Sequence, residues 1–530
     1  MGSAVTAAEA NRAYERRWWT LGVLCLSLTV IGIDNTILNV AIPSIVKDVG
    51  AKGSDLQWII DAYTIVFAGL LLTAGSLGDR FGRKRMLTTG LVLFGTFSAL
   101  ASRATDANHL IVARGLMGIG GALIFPSTLS ILTNTFTGKE RGRAIGVWAG
   151  VAGLGIAAGP VAGGLLLEHF WWGSVFLVNV PVTIAAVVLG RFFIFESKDP
   201  DEGRLDPVGS ALSIVTLASL LWAIIQVPDR GWGDTTILTG FVVGVVFLGL
   251  FAAWELHTEH PMIDVAFFRN PRFSAASAVI TLNYFALFGS TFLLTQYFQF
   301  ALGYSPLKAG FLTAPVAVGL MVGGPSAPRL VERWGTKRVV MGGLCIVIGA
   351  LLCYGSETLM SSFLWGAIVR AVFGLGMSLT TAPATESIMG SLPPGRAGVG
   401  SAINDTTRQT GGALGVAVLG SIFAARYRSL IELPAALPAQ ARDLARDSIG
   451  KAFGAASTLP DGLGRQVHQA AVDAFVGSMR TAVIVGAVFV ATAIVVAWRF
   501  LPAYEAARPP DDELDAAARE LASVDDGVYA

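Results

Sequence analysis

Long apolar runs separated by short polar stretches recur along the whole chain. A helix needs roughly 20 apolar residues to cross the hydrocarbon core of a bilayer. Runs of that order lie near 18–40, 57–77, 86–103, 109–133, 144–167, 174–195, 207–226, 236–255, 273–300, 308–331, 338–354, 361–388, 397–425 and 477–501. The pattern predicts an all-α membrane protein of fourteen transmembrane helices. The fifth run is rich in glycine and the twelfth contains Pro383, so these two are the least regular. The first run follows Arg16 and Arg17, is too long for a signal-peptide core, and reads as an uncleaved first span.

The polar stretches orient the bundle. One alternate set holds Arg12, Arg16, Arg17, Arg80, Arg83, Lys84, Arg85, Lys139, Arg141, Arg143, Lys198, Arg204, Arg269, Arg272, Arg329, Arg333, Lys337, Arg338 and Arg396. The other short loops hold only Lys47, Lys52, Arg103, Arg230 and Lys308. Cytoplasmic loops collect lysine and arginine, which places both termini in the cytoplasm. The long stretch 426–476 then falls outside, and its alanine-rich pattern with Arg442, Asp443, Arg446 and Asp447 suggests short surface helices.

Two stretches recur at similar spacing. Asp79-Arg80-Phe81-Gly82-Arg83-Lys84-Arg85 answers to Glu332-Arg333-Trp334-Gly335-Thr336-Lys337-Arg338. Arg114-x-x-x-Gly118-x-Gly120 answers to Arg370-x-x-x-Gly374-x-Gly376. Parallel halves with a substrate site between them are one of the known transporter plans. The chain then divides into a cytoplasmic N-terminus at 1–17, a six-helix half at 18–195 and two inserted helices with their linkers at 196–272. A second six-helix half at 273–501 carries the outer loop, and an acidic tail at 502–530 reads as disordered.

Composition agrees. Of 530 residues 53% are hydrophobic and 14% charged, against about 25% charged in soluble proteins. With 38 basic and 37 acidic residues, the net charge of +1 gives no hint of nucleic-acid binding. Cys25, Cys345 and Cys353 lie in apolar runs without metal-ligand spacing, so neither a disulfide framework nor a metal site is expected. No phosphate-cradling Gly-x-x-x-x-Gly-Lys-Ser/Thr loop occurs, so ATP is not expected to power this chain, and no cofactor or enzyme activity is indicated.

The stretch from Gly75 to Arg85, Gly-Ser-Leu-Gly-Asp-Arg-Phe-Gly-Arg-Lys-Arg, resembles the signature loop of the major facilitator superfamily. Ile33 to Pro43 is similar to the first-span motif of its fourteen-span drug:proton antiporter branch, and Gly155 to Gly164 resembles the fifth-span antiporter motif. Trp172 to Pro181, ending Phe176-Leu177-Val178-Asn179-Val180-Pro181, fits the same branch. Asp61 adds a likeness to the quaternary-ammonium exporters of the QacA type. This chain departs from that type in its thirteenth span, which offers Asn404, Asp405 and Gln409 instead of several acids, and in a tenth span without a carboxylate. The resemblance implies a proton-coupled multidrug exporter of lipophilic, cationic drugs or antiseptics in the bacterial inner membrane. Its partners would be amphipathic small molecules, protons and the lipid bilayer, and the working unit a monomer. An exporter dedicated to one metabolite, lipid or self-produced antibiotic is the alternative.

Charged residues inside spans cost about 2.5–3.5 kcal/mol each on insertion scales and are functional candidates by default. Asp34 lies past the middle of the first span and Asp405 a third to half of the way into the thirteenth, so the two suit a shared central cavity. A carboxylate in low dielectric has a raised pKa, which lets it hold either a proton or a cation. The bland alternatives are a local hydrogen bond of Asp34 with Asn35 or Thr36, and an ion pair of Asp405 with Arg408 three residues on. Asp61 lies near the outer surface, as a substrate contact or a solvated rim residue. Arg114 cannot shed its charge, so it either tunes a neighbouring acid such as Asp34 or locks helices together. Glu386 reads as a gate or a solvated position. In the loop comprising Gly75, Asp79, Arg80, Gly82 and Arg83, Asp79 and Arg83 could bond across to neighbouring helix ends and latch one conformation. Gly155, Gly159 and Gly163 form a smooth ridge for close helix contact, with Pro160 adding a bend. Trp58, Tyr63, Tyr284, Tyr297 and Phe298 are candidates to stack on a flat cation.

Overall fold

The computed structural model describes residues 7–49, 53–198, 206–258, 261–263, 265–356, 363–393 and 396–503. The acidic tail from 504 on lies outside the described residues, as do the side chains of Lys139 and Pro160. The first half comprises α1 (Ala7–Val49), α2 (Gly53–Phe81), α3 (Arg83–Ala101), α4 (Ala107–Thr135) and α5 (Gly138–His169). Its sixth span is split into α6 (Ser174–Leu177) and α7 (Asn179–Phe193). The inserted pair is α8 (Pro207–Arg230) and α9 (Thr235–Glu255). The second half holds α10 (Pro271–Gln296), α11 (Pro306–Thr313), α12 (Pro315–Trp334), α13 (Thr336–Ser356), α14 (Phe363–Gly390) and α15 (Ala397–Leu430). Short helices α16 (Ala439–Asp447) and α17 (Ile449–Ala456) follow, then α18 (Asp461–Phe500).

A helix lies at each of the fourteen predicted spans, and among the described residues twelve are long and apolar enough to cross a membrane. The other two positions are α3, with Arg83, Lys84 and Arg85 in its first turn, and the glycine-rich α5. Apolar surface on α9, including Leu238, Val242, Val245 and Leu250, is exposed and suits a lipid-facing helix. The stretch 426–476 carries the two short helices that its pattern suggested, but α18 begins at Asp461 rather than 477.

Local chemistry sets the ends. Asp106, Asp234, Asn270 and Ser305 cap α4, α9, α10 and α11 by accepting from the amides of the first turn. Proline at the start of α8, α10 and α11 sits where no amide is needed. The two repeated loops turn alike: Gly82 and Gly335 have φ of 108° and 82°, a region open to glycine. Each half also has its own apolar core, one built chiefly from residues 21–194 and the other from residues 262–501. A smaller cluster of Ile224, Val227, Ile237 and Ala417 seats the inserted pair on α15, and α8 packs on α2 as well. The inserted pair thus touches both halves.

Candidate substrate and proton site

A cavity of about 70 Å³ lies where the halves meet. The first half contributes Leu28, Ile31, Gly32 and Asn35 of α1, Phe125 of α4 and Gly153 of α5; the second contributes Tyr284 and Phe288 of α10 and Asp405, Arg408 and Gln409 of α15. That volume admits several waters, at about 10–15 Å³ each. A drug-sized ligand needs roughly 300–1,000 Å³, so it enters only once the halves separate. Of the five aromatic candidates only Tyr284 lines the cavity, with Phe125 and Phe288 beside it. Trp58 is largely exposed, Tyr63 is buried inside the first half, and Tyr297 and Phe298 form a π-helical turn that ends α10.

Asp34 does not share this cavity. It faces the interior of its own half, 1% exposed, where Arg114 donates to its Oδ2 at 2.5 Å and Asn179 to its Oδ1 at 3.1 Å. Arg114 also donates to the carbonyl of Ile59 at 3.1 Å and lies 4.3 Å above the ring of Tyr63. Asn179 is held in turn by Ser98, which donates to the carbonyl of Phe176. The partners of Asp34 are therefore Arg114 and Asn179, not Asn35 or Thr36; Thr36 donates to carbonyls of its own helix. Asn179 opens α7, and the sequence singled it out only as part of a motif.

Asp405 is 1% exposed and does line the cavity. Its Oδ1 accepts from Asn404 at 3.3 Å, while its Oδ2 has no partner. The expected ion pair with Arg408 does not form. Arg408 instead lies 4.6 Å over Trp148 of α5 and 5.2 Å over Tyr284 of α10, and donates to Thr385.

Asp61 is not a solvated rim residue: it is 4% exposed and accepts from Gln226 of α8 at 3.3 Å. The apolar periodicity of the inserted pair gave no sign that it would reach an acid of the first half.

At the signature-loop end the halves are closed. Asp79 accepts from the amides of Gly398 and Val399 at 2.9 and 3.0 Å, at the start of α15, where unsatisfied amides and the helix dipole favour an anion. Arg83 bonds the same carboxylate at 2.7 and 3.0 Å. Gly75 meets Gly398 backbone to backbone, so close that a Cβ on Gly75 would lie 2.6 Å from the carbonyl oxygen of Gly398. Arg80 points elsewhere, over the ring of Phe81. Behind Gly82, the Glu196 carboxylate accepts from the amides of Lys84 and Arg85 and straps the loop to the segment after α7. Glu386 is part-buried and paired: Arg141 of α5 bonds it at 2.5 and 2.7 Å, a second tie between halves.

The α5 ridge lies along α1. A Cβ on Gly155 would come 3.0 Å from the Cα of Gly32, one on Gly159 would come 2.8 Å from the carbonyl oxygen of Ile33, and one on Gly163 would come 2.9 Å from Ile37. Helix α1 therefore presents the cavity on one side, Asp34 on another and a close seam with the α5 glycines on a third.

The family model described as Major Facilitator Superfamily matches residues 24–416. The chain is 37% identical to the multidrug efflux pump LfrA of Mycolicibacterium smegmatis, over 92% of this chain and 97% of that protein. It is 36% identical to the methyl viologen resistance protein SmvA of Salmonella typhimurium, over 87% and 94%. The solved structure of the human organic anion transporter MFSD10 superposes with a TM-score of 0.58, covering 92% of this chain and 99% of that one at 12% identity, which bears on the fold alone. The two repeated loops, the two cores and the cavity between them are thus those of a member of the major facilitator superfamily, to which this chain belongs.

Proposed function

We propose that this chain is a proton-coupled multidrug efflux antiporter that exports lipophilic drugs or antiseptics carrying a positive charge. It would work with fourteen spans in the bacterial inner membrane, both termini cytoplasmic, in the manner of the QacA type. The family and relatives that are a multidrug efflux pump and a methyl viologen resistance protein support drug export. The observation that carries the coupling is the placement of α1, which holds Asp34 against Arg114 and, one residue on, lines the cavity with Asn35.

In this reading Asp34 is the coupled acid. Protonation cancels its charge, so the fixed positive charge of Arg114 loses its partner and keeps only the carbonyl of Ile59 and the face of Tyr63. The gain from the ion pair exists in one protonation state only, and a ligand shifts a two-state equilibrium by that kind of difference. Because α1 is seated on α5 through the glycine ridge, a change at Asp34 is passed to the cavity wall. Asp405 faces the substrate, Asp61 is a second acid at the seam with α8, and the Asp79 latch and the Arg141–Glu386 pair close one side. Substrate, protons and lipid are the only partners this requires, and a single chain suffices.

The test uses purified protein in liposomes under an imposed pH gradient, with a lipophilic cationic dye beside a pH reporter. The native chain should move dye against protons, and Asp34→Asn should bind dye yet lose coupling. Coupling that survives in Asp34→Asn would remove Asp34 from the proton step, and a native chain that moves no dye would end the drug-export reading.

A further inference from the structure

Asp405 and Arg408 lie three residues apart on α15, a spacing at which opposite charges ordinarily meet. Both line the cavity, yet Asp405 Oδ2 has no partner. What joins them is a chain of three hydrogen bonds that all run one way. Arg408 donates to the Thr385 hydroxyl at 3.3 Å, that hydroxyl donates to Asn404 Oδ1 at 3.1 Å, and Asn404 Nδ2 donates to Asp405 Oδ1 at 3.3 Å. Chemistry forces each direction. A guanidinium only donates and an ionised carboxylate only accepts, so Asn404 turns its NH2 group to Asp405 and its oxygen to Thr385. Thr385 and Asn404 are fully buried, which keeps water from competing for these bonds. The hydroxyl of Thr385 is also unlike its neighbours. A threonine in a helix can donate back to a carbonyl three or four residues earlier, as Thr380 on α14 and Thr407 on α15 do. Thr385 of α14 reaches across to α15 instead.

We infer that Thr385 is a positioning residue of this cavity: through Asn404 it ties Arg408 to Asp405 at one remove, and so keeps the arginine from closing on the carboxylate oxygen that would meet a cationic ligand. Among the described residues the Thr385 hydroxyl is the one hydrogen-bond acceptor of Arg408. The faces of Trp148 and Tyr284 hold the guanidinium by its charge but accept no ordinary hydrogen bond. Take the hydroxyl away, and a buried cation with five N–H groups must find another acceptor. The nearest open one by sequence is Asp405 Oδ2, on the same cavity wall. A direct pair there would occupy the oxygen that a ligand needs. The relay thus balances the two charges without spending Oδ2, and Thr385 acts on the ligand through Arg408 rather than by touching it. The inference rests on the export reading above and deepens it by naming what holds its substrate-facing acid open.

The probe is rhodamine 6G, a flat lipophilic monocation. Binding is read by fluorescence anisotropy on the full chain in nanodiscs, with empty nanodiscs subtracted, and transport is followed in liposomes. Thr385→Val keeps the branched shape and loses the hydroxyl; it should weaken dye binding at least about tenfold, the size of one hydrogen bond to a charged group. Thr385→Ser restores the hydroxyl and should bind within about twofold of the native chain. Arg408→Gln removes the competitor and should bind the dye at least as well as the native chain. The deciding variant is the double one. If the loss in Thr385→Val comes from Arg408 capturing Asp405, then Thr385→Val with Arg408→Gln should bind like Arg408→Gln alone, which also shows that valine at 385 is compatible with a folded site. A double variant as weak as Thr385→Val overturns the inference, because the hydroxyl would then act by packing and not through the arginine. Native-like binding in Thr385→Val, or binding in Thr385→Ser as weak as in Thr385→Val, overturns it as well; in each case a native chain that still exports the dye leaves the export reading standing. If the native chain neither binds nor moves the dye, both readings fall together.

Discussion

Replacing Asp79 by asparagine tests the closed end directly. The two bonds from Gly398 and Val399 cross from one half to the other, so they exist only while that end is shut. The bond with Arg83 spans four residues of one half and does not require that end to be shut. The cost of the change therefore falls on the closed state. An asparagine oxygen can answer one amide, as a neutral acceptor, but its NH2 group cannot answer the other. One charge-assisted bond is lost and a second weakened, about 2–4 kcal/mol together. At 1.4 kcal/mol per factor of ten, even the lower figure shifts the closed-to-open ratio by roughly 30-fold.

The shift is read by thiol labelling. Cys25, Cys345 and Cys353 are replaced by serine, and Asn35 in the cavity wall becomes the single cysteine. A charged thiol reagent applied from the signature-loop side should label Asp79→Asn much faster than the parent, with labelling from the other side unchanged or slower. A melting curve near that of the parent ensures that the change is conformational. If labelling from the signature-loop side rises less than about threefold, the Asp79 contacts do not hold that end closed, and the latch reasoning fails.

The second tie between halves should tolerate reversal. Glu386→Arg or Arg141→Glu alone should cost about 1–3 kcal/mol, between the surface and buried limits for an ion pair, and slow transport; the double exchange should recover most of the rate in a dye-export assay. On the α5 ridge, Gly159→Ala should destabilise by about 1–3 kcal/mol through overpacking against Ile33 and Thr36, read as a lower melting temperature. Gly22→Ala in α1, where a Cβ would meet nothing within 4 Å, should leave melting unchanged or raise it. The hydrogen bond from Arg17 holds the Glu140 carboxyl below its usual range, so its contribution is present above the ordinary carboxylate pKa and is lost as pH falls through the depressed one. Arg17→Ala should thus cost under about 1 kcal/mol at neutral pH, a difference that disappears in acid melting curves.

The helices were legible because bilayer thickness fixes the length of an apolar run. Their breaks were not. The splits at Val178 and Ala314 and the π-helical turn at Tyr297 depend on packing that hydropathy does not record. Chain position placed Asp34 and Asp405 at similar depth but could not say which way each faces. Depth follows from the rise per residue, whereas facing depends on which neighbour satisfies the carboxylate. Arg114 and Asn179 claim Asp34 from inside the first half, and two aromatic faces claim the arginine that local spacing had offered to Asp405. Asp61 shows the same gap: the amide that reaches it lies 165 positions away, on a helix the repeat does not explain.

These placements separate two tasks that sequence position alone had merged. A carboxylate in an ion pair with a permanent cation is poorly placed to meet a bulky ligand, because the ligand would have to displace the arginine or bury it unpaired. It suits a proton, which needs no room. A carboxylate at a cavity wall with a free oxygen has the opposite character: it has space for a ligand and an unmet need for one. If one acid did both jobs, Asp34→Asn and Asp405→Asn would fail alike. The geometry instead calls for two distinct phenotypes, coupling lost with binding kept in the first, and binding weakened in the second. Helix α1 has cavity on one side and ion pair on another, which is how a proton at Asp34 would be felt at Asp405 without the two acids meeting.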